Sequence, residues 1–342
     1  MSSIARWFAF WIGFRPVGGR GSGIGGRGSG VGGRGLGVGD RGLGVGDRGL
    51  GLEHFRRRHV NRVGCRWLVV ASACAAIGLW SARPLAQDSP SPDRLHAPLD
   101  ELLDLYVRDG LVYYGALRAD RGRLDRYVET LDSRATISAY ETWGTEARAA
   151  FWVNAYNAFV LRTVVDAYPI RGRAPDYPPD SVRQIPGAFE RLTHRAAGRT
   201  VTLDDIDTRI LSEFADPRLY LALGRGAVGS PRLRSEAFTA GRLASQLAAV
   251  AAECPTRAQC VLVESSANRV SVTPVIGWHE AAFTAKYAAD AGPFASRSPI
   301  ERAVLAFVGP HLLETERVFL ERNRFAVTYR EFDWRLNDLT GR

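Results

Sequence analysis

The chain has 342 residues, 36 of them glycine, with 45 basic and 36 acidic side chains and a formal net charge of +9. A hydrophobic fraction of 46% with 24% charged residues excludes global disorder, and the length accommodates one or two domains. The charge is uneven: residues 1–86 hold 13 arginines against Asp40, Asp47 and Glu53, so residues 87–342 are close to neutral. The basic balance therefore gives no argument for a nucleic-acid partner of the larger part.

In chain order, Val17 to Gly51 comes first, as five heptads of the type VGGRGSG and VGDRGLG. Glycine at three or four of seven positions costs too much backbone entropy for a packed helix or sheet, so the period is no coiled coil. An arginine–glycine tract could bind RNA, but this one has no interleaved aromatics and lies ahead of an export signal. Arg56, Arg57, Arg58, Arg62 and Arg66 flank the uncharged run Trp67 to Trp80, and Ala82 and Ala86 precede the polar stretch QDSPSPDR. Positive flank, short apolar run and small residues describe a secretory signal peptide. The run is short of the ~20 apolar residues a membrane span needs. An uncleaved signal anchor is the alternative, and only then is a membrane partner expected. The reading is a low-complexity leader over 1–58 (disordered, or upstream of the true start), a signal over 59–86 and a linker over 87–96. A single globular domain follows over 97–339, exported to the periplasm or anchored facing it.

Within that domain, Leu99, Leu102, Leu103, Tyr106 and Val107 form a helix stripe ending at Gly110. An extended run at Leu111 to Tyr114, a helix around Arg123 to Leu131 and a long helix from Thr145 to Tyr168 come next. Thr202 reads as an N-cap with Asp205 in the capping-box position. Leu219 to Leu223 reads as a strand and Gly241 to Ala252 as a helix. Val261 to Val263 and Val270 to Val272 form a hairpin. Two more helices precede a late strand at Arg324 to Tyr329. Helices gather in the first half and a short mixed or antiparallel sheet in the second, an α+β arrangement. Cys254 and Cys260 are spaced for a local disulfide or remain two free thiols; they have no companions for a zinc site, and no metal or cofactor is expected.

The segments DLYVRDGLVYYGAL, AFWVNAYNAFVLRTVVDAYPI, TLDDIDTRIL, DPRLYLAL, SPRL, FTAGRL and FDWRLND occur in that order. Together they resemble the bacterial and plant domain-of-unknown-function family numbered 547, over about residues 97–339. The resemblance implies an architecture and no established activity. After DPRLYLAL, members read Asn-Cys-x-Ser-x-Ser-Cys-Pro, where this chain has Gly224-Arg225-Gly226-Ala227-Val228-Gly229-Ser230-Pro231. The family's Ile-Glu-His is Ile206-Asp207-Thr208 here. If the typical member uses a thiolate activated by an imidazole, both partners are missing.

Gly224 to Gly229 formally matches G-x-G-x-x-G, but Pro231 and the late start of the next helix argue for a loop whose amides could accept an anion rather than a dinucleotide site. Asn154 and Asn157 share a helix face and need buried partners, either neighbouring backbone or a pocket beside the loop. Ser230 would need a base to act as nucleophile, and no motif places one there. His279 after Trp278 reads as a capping or surface residue. Asp333, Trp334 and Asn337 read as locking the last segment onto the core, with an acid–base role for Asp333 as the lesser alternative. The expected site is therefore a binding site of Asn154, Asn157, Arg225, Gly226 and Ser230 for an unidentified small molecule or protein. The alternative is a hydrolase or acyl-transfer enzyme using Ser230, with Asp207 or a histidine supplied from elsewhere.

Overall fold

A computed structural model describes residues 91–289 and 292–340. The glycine heptads and the signal lie outside the described residues. The first helix, α1 (Pro92–Tyr106), begins inside the stretch read as linker, because Pro92 at its first position needs no amide partner and His96, Leu99, Leu102 and Leu103 are buried. A two-residue hairpin follows, β1 (Val107–Arg108) and β2 (Leu111–Val112), turned by Asp109 and Gly110 at φ 51° and 84°. Positive φ at both turn residues is the reason for the Asp-Gly pair.

Helices α2 (Tyr114–Ala119), α3 (Arg121–Thr130) and α4 (Arg134–Tyr140) lead into α5 (Thr145–Ala167). Seventeen of the 23 residues of α5 are buried, so it is apolar around its whole circumference and is the axis of the core. Helices α1, α2 and α3 pack against it. It ends where Pro169 forces Tyr168 out of helical geometry.

The hairpin β3 (Thr193–Ala196)–β4 (Arg199–Thr202) delivers the chain to α6 (Leu203–Asp205), which widens into a π-helical turn at Ile206–Ile210 and tightens to a 3-10 turn at Leu211–Phe214. The expected capping box is present: Asp205 N donates to Thr202 Oγ1 at 3.0 Å and Thr202 N to Asp205 Oδ2 at 2.9 Å.

Leu219 to Leu223 is not a strand. Residues Arg218–Leu221 form α7, begun by Asp216, whose carboxylate accepts from Arg218 N at 3.0 Å. A short run buried on every side has no periodicity to separate strand from helix. Helix α8 (Leu243–Glu253) is followed by the predicted hairpin, β5 (Val261–Glu264) and β6 (Arg269–Val272). Four helices then follow instead of two: α9 (Pro274–Trp278), α10 (Glu280–Tyr287), α11 (Pro299–Val308) and α12 (Glu314–Glu321). The predicted late strand, β7 (Ala326–Tyr329), joins β6 in parallel, giving a three-stranded mixed sheet β5-β6-β7. The fold is α+β, with helices dominating the first half. No helix among the described residues is long and apolar enough to cross a membrane.

Candidate functional site

The 224–231 loop is held from two sides and by bonds of its own. From α5, Asn157 grips one turn of backbone: its Nδ2 donates to Ala222 O at 3.1 Å and its Oδ1 accepts from Gly224 N at 2.8 Å. Asn154 does the same for Phe238, through Nδ2 to Phe238 O at 2.7 Å and Phe238 N to Oδ1 at 2.9 Å. Both buried amides thereby brace backbone through one donor and one acceptor bond each. From the other side the C-terminal segment lies against the loop, with Val228 N donating to Arg335 O and Gly229 N to Asp333 O, at 2.9 and 2.8 Å. Gly229 is required by this contact, since a Cβ there would fall 2.5 Å from Asp333 N. Within the loop, Ser230 N donates to Ala227 O and Arg225 N to Ser230 Oγ, both at 3.1 Å. The amides of residues 224, 225, 228, 229 and 230 are thus spent within the protein, and no helix of the kind a dinucleotide turn would require follows the loop before residue 240.

Arg225 points from the loop into the protein and is only 2% exposed. Its NH2 donates to both oxygens of Asp207, at 3.1 and 3.0 Å, and its NH1 to the carbonyls of Tyr220 and Leu223. The guanidinium sits 5.6 Å from the Trp278 ring centre. Asp207 reaches it from the π-helical turn, and His279 Nε2 approaches the same carboxylate, 3.2 Å from Oδ1 but out of line for a hydrogen bond. The His279 ring stacks on Tyr220 with centroids 3.6 Å apart. Burial alone would raise the Asp207 carboxyl; Arg225 and then His279 outweigh it and hold the group far below the carboxylate range. On the next turn back, Asp204 is pushed up to about 6, first by burial and then by the charges of Asp207, Glu190 and Asp205. Thr208 is exposed and donates to Asp204 O at 2.7 Å along its own helix.

The other face of the loop opens into a cleft of about 180 Å³. Gly224 and Ser230 form one wall, Asp109 and Gly110 of the β1–β2 turn a second, and Arg257 and Gln259 a third. The third wall is the short bridge between Cys254 and Cys260, which are joined in a disulfide.

Of the residues expected to form one site, Arg225, Gly226 and Ser230 belong to the loop and Asn157 supports it from beneath, while Asn154 holds Phe238, beyond the loop. Asp207 joins through Arg225. Among the described residues Ser230 Oγ makes one hydrogen bond, to Arg225 N, and no imidazole or carboxylate is bonded to it. His279, expected to cap a helix or lie at the surface, makes no side-chain cap bond and instead packs between Tyr220 and Asp207 with its side chain 8% exposed. The roles of Tyr220 and Trp278 and of the cleft residues Asp109, Arg257 and Gln259 escaped the sequence reading. The Asp-Gly pair between two short apolar runs was the one usable signal. No group of three or more His, Cys, Asp or Glu side chains suited to a metal ion occurs among the described residues.

No curated protein matches the chain, and no solved structure does. A family model does match over residues 140–253, which contain the braced helix, the π-helical turn, the loop with Arg225 and Ser230, and helix α8. This agrees with the resemblance carried by FWVNAYNA and DPRLYLAL, and the segment belongs to the family described as "Protein of unknown function, DUF547".

Proposed function

We propose that this chain is an exported, non-catalytic member of its family that acts by binding a small molecule beside the 224–231 loop. The observation that carries the reading is the state of Arg225. It occupies the position of a family cysteine, and its side chain is buried, neutralised by Asp207 and capped by two carbonyls. The residue at the second cysteine position, Ser230, spends its oxygen on the amide of Arg225. A nucleophile needs a base within hydrogen-bond reach: a guanidinium is no nucleophile, and among the described residues no base is bonded to Ser230 Oγ. Export rests on the positive flank and apolar run at residues 56–80, and the Cys254–Cys260 disulfide suits an oxidising compartment.

The test is native mass spectrometry of the purified protein for retained small molecules, run beside an assay against a panel of chromogenic esters and amides. A retained ligand without turnover supports binding. Turnover that disappears in Ser230→Ala or Asp207→Asn overturns it.

One contact favours a second reading. His279 lies 3.2 Å from Asp207, so a carboxylate-oriented imidazole could activate water as a general base. Turnover abolished by His279→Gln and unaffected by Ser230→Ala identifies that enzyme.

A further inference from the structure

The cleft on the outer face of the loop holds an electrostatic arrangement that the buried Arg225–Asp207 pair does not explain. Arg232 and Arg257 stand side by side on it. Each meets an inner carboxylate, that of Glu253, with Arg232 Nε 2.5 Å and Arg257 NH2 3.0 Å from its Oε1. Each also meets an outer carboxylate, that of Asp109: Arg257 donates to it at 2.9 and 2.5 Å, and Arg232 at 3.4 Å. The two acids differ in burial. The Glu253 side chain is 19% exposed and that of Asp109 is 64% exposed. Two guanidinium groups thus have one fixed counter-charge and one that solvent can replace. Asp109 is largely exposed, so water can take over its carboxylate once a ligand has displaced it. A paired arginine fork is suited to a planar carboxylate.

The remaining walls supply polar groups with hydrogen-bonding capacity left over. Ser230 is 6% exposed, and its oxygen accepts from Arg225 N while its own proton has no acceptor among the described residues. The Gln259 amide makes no hydrogen bond among the described residues. A cleft of about 180 Å³ is close to the ~150 Å³ cavity that admits a benzene-sized molecule, so the occupant has about six heavy atoms.

We infer that this cleft binds a short carboxylate bearing a second polar group, the carboxylate lying on Arg257 and Arg232 in place of the Asp109 side chain and the second group meeting Ser230 and Gln259. Asp109 is then an internal occupant that the ligand displaces. This rests on the binding reading and names its ligand class. The disulfide serves the site by fixing Arg257 and Gln259 within a loop of six-residue separation.

Isothermal titration calorimetry of the full chain with L-lactate, D-lactate in a second arm and sodium chloride as ionic control tests it. Lactate has six heavy atoms, a carboxylate and a hydroxyl. Saturable one-site binding of either enantiomer is expected. Asp109→Asn keeps the positive-φ turn, which asparagine tolerates, and is expected to tighten binding at least fivefold. Gln259→Met, which removes no internal bond, is expected to weaken it severalfold with an unchanged melting temperature. Absence of saturation in both the parent and Asp109→Asn, or weaker binding in Asp109→Asn, overturns the assignment. Ester turnover by a protein that still binds lactate in this pattern overturns the non-catalytic reading and leaves the carboxylate site standing.

Discussion

Arg225 is where a single side chain has the largest consequence. Desolvating a guanidinium and a carboxylate together costs several kcal/mol, and only their mutual geometry repays it. Here the repayment is two hydrogen bonds to Asp207 plus two carbonyls. Asp207→Asn should therefore destabilise the domain by about 3–5 kcal/mol, because the buried positive charge keeps no counter-ion. Replacing both residues, Asp207→Asn with Arg225→Met, should recover most of that loss. Urea midpoints of the two singles and the double give the coupling directly. A single-variant loss below ~1 kcal/mol would show that the charge is relieved some other way.

At the level of elements, the site is presented by α5, which lends no residue to the cleft lining. Asn157 replaces two hydrogen bonds that the peptide between Ala222 and Gly224 cannot make within a regular element. Asn157→Leu is nearly equal in size but strands Ala222 O and Gly224 N, at about 1–3 kcal/mol for each buried group left unpaired. The expected outcome is a lower melting temperature together with new proteolytic cleavage within residues 222–231, read by mass spectrometry of a limited trypsin digest. Intact resistance of that loop would mean it holds itself. The elements legible in the sequence had a local cause: the apolar circumference of α5, the Thr202–Asp205 box, the valine pairs of β5 and β6. Leu219 to Leu223 was misread because it is buried on all sides. The Asp109–Gly110 hairpin was missed because a two-residue strand has no pattern of its own. The loop with Arg225 could be placed from its motif. Arg257, Asp109 and His279 could not, since they reach it across 32 to 116 residues of chain and have no shared spacing.

For the whole molecule, acid stability gathers contributions from distant histidines. Burial pushes His96, bonded to Tyr127, from 6.5 down to about 3, and burial with Arg162 pushes His194 to about 4. In the window between 6.5 and these values the unfolded chain binds protons that the fold refuses. Stability is therefore fully present above pH 6.5 and falls as pH drops through the window. The full His96 shift corresponds to about 5 kcal/mol. Asp204 acts in the opposite sense, because its folded value of about 6 lies above the ordinary 3.8, so stability rises as pH falls through 6. It is half-exposed and solvent screens it, so the histidines prevail. Urea midpoints should decline steadily from pH 6.5 to 4, and His96→Gln should flatten the decline; a level profile in the parent protein would contradict this account.

The segment from Asp333 to Asp338 has a temporal consequence. It closes the loop from outside, pairs Leu336 with Ala227, and inserts Asn337 between Gly110 O and the Tyr114 hydroxyl. A nascent chain that has been synthesised only as far as residue 325 already contains Asp207, Arg225, Arg257 and both bridging cysteines. It lacks the acceptors for Val228 N and Gly229 N, and it lacks the Asn337 wall of the cleft. The cleft is thus complete only once residues 333–338 have been added, so a product shortened before them keeps nearly all of the described core but lacks the Asn337 wall.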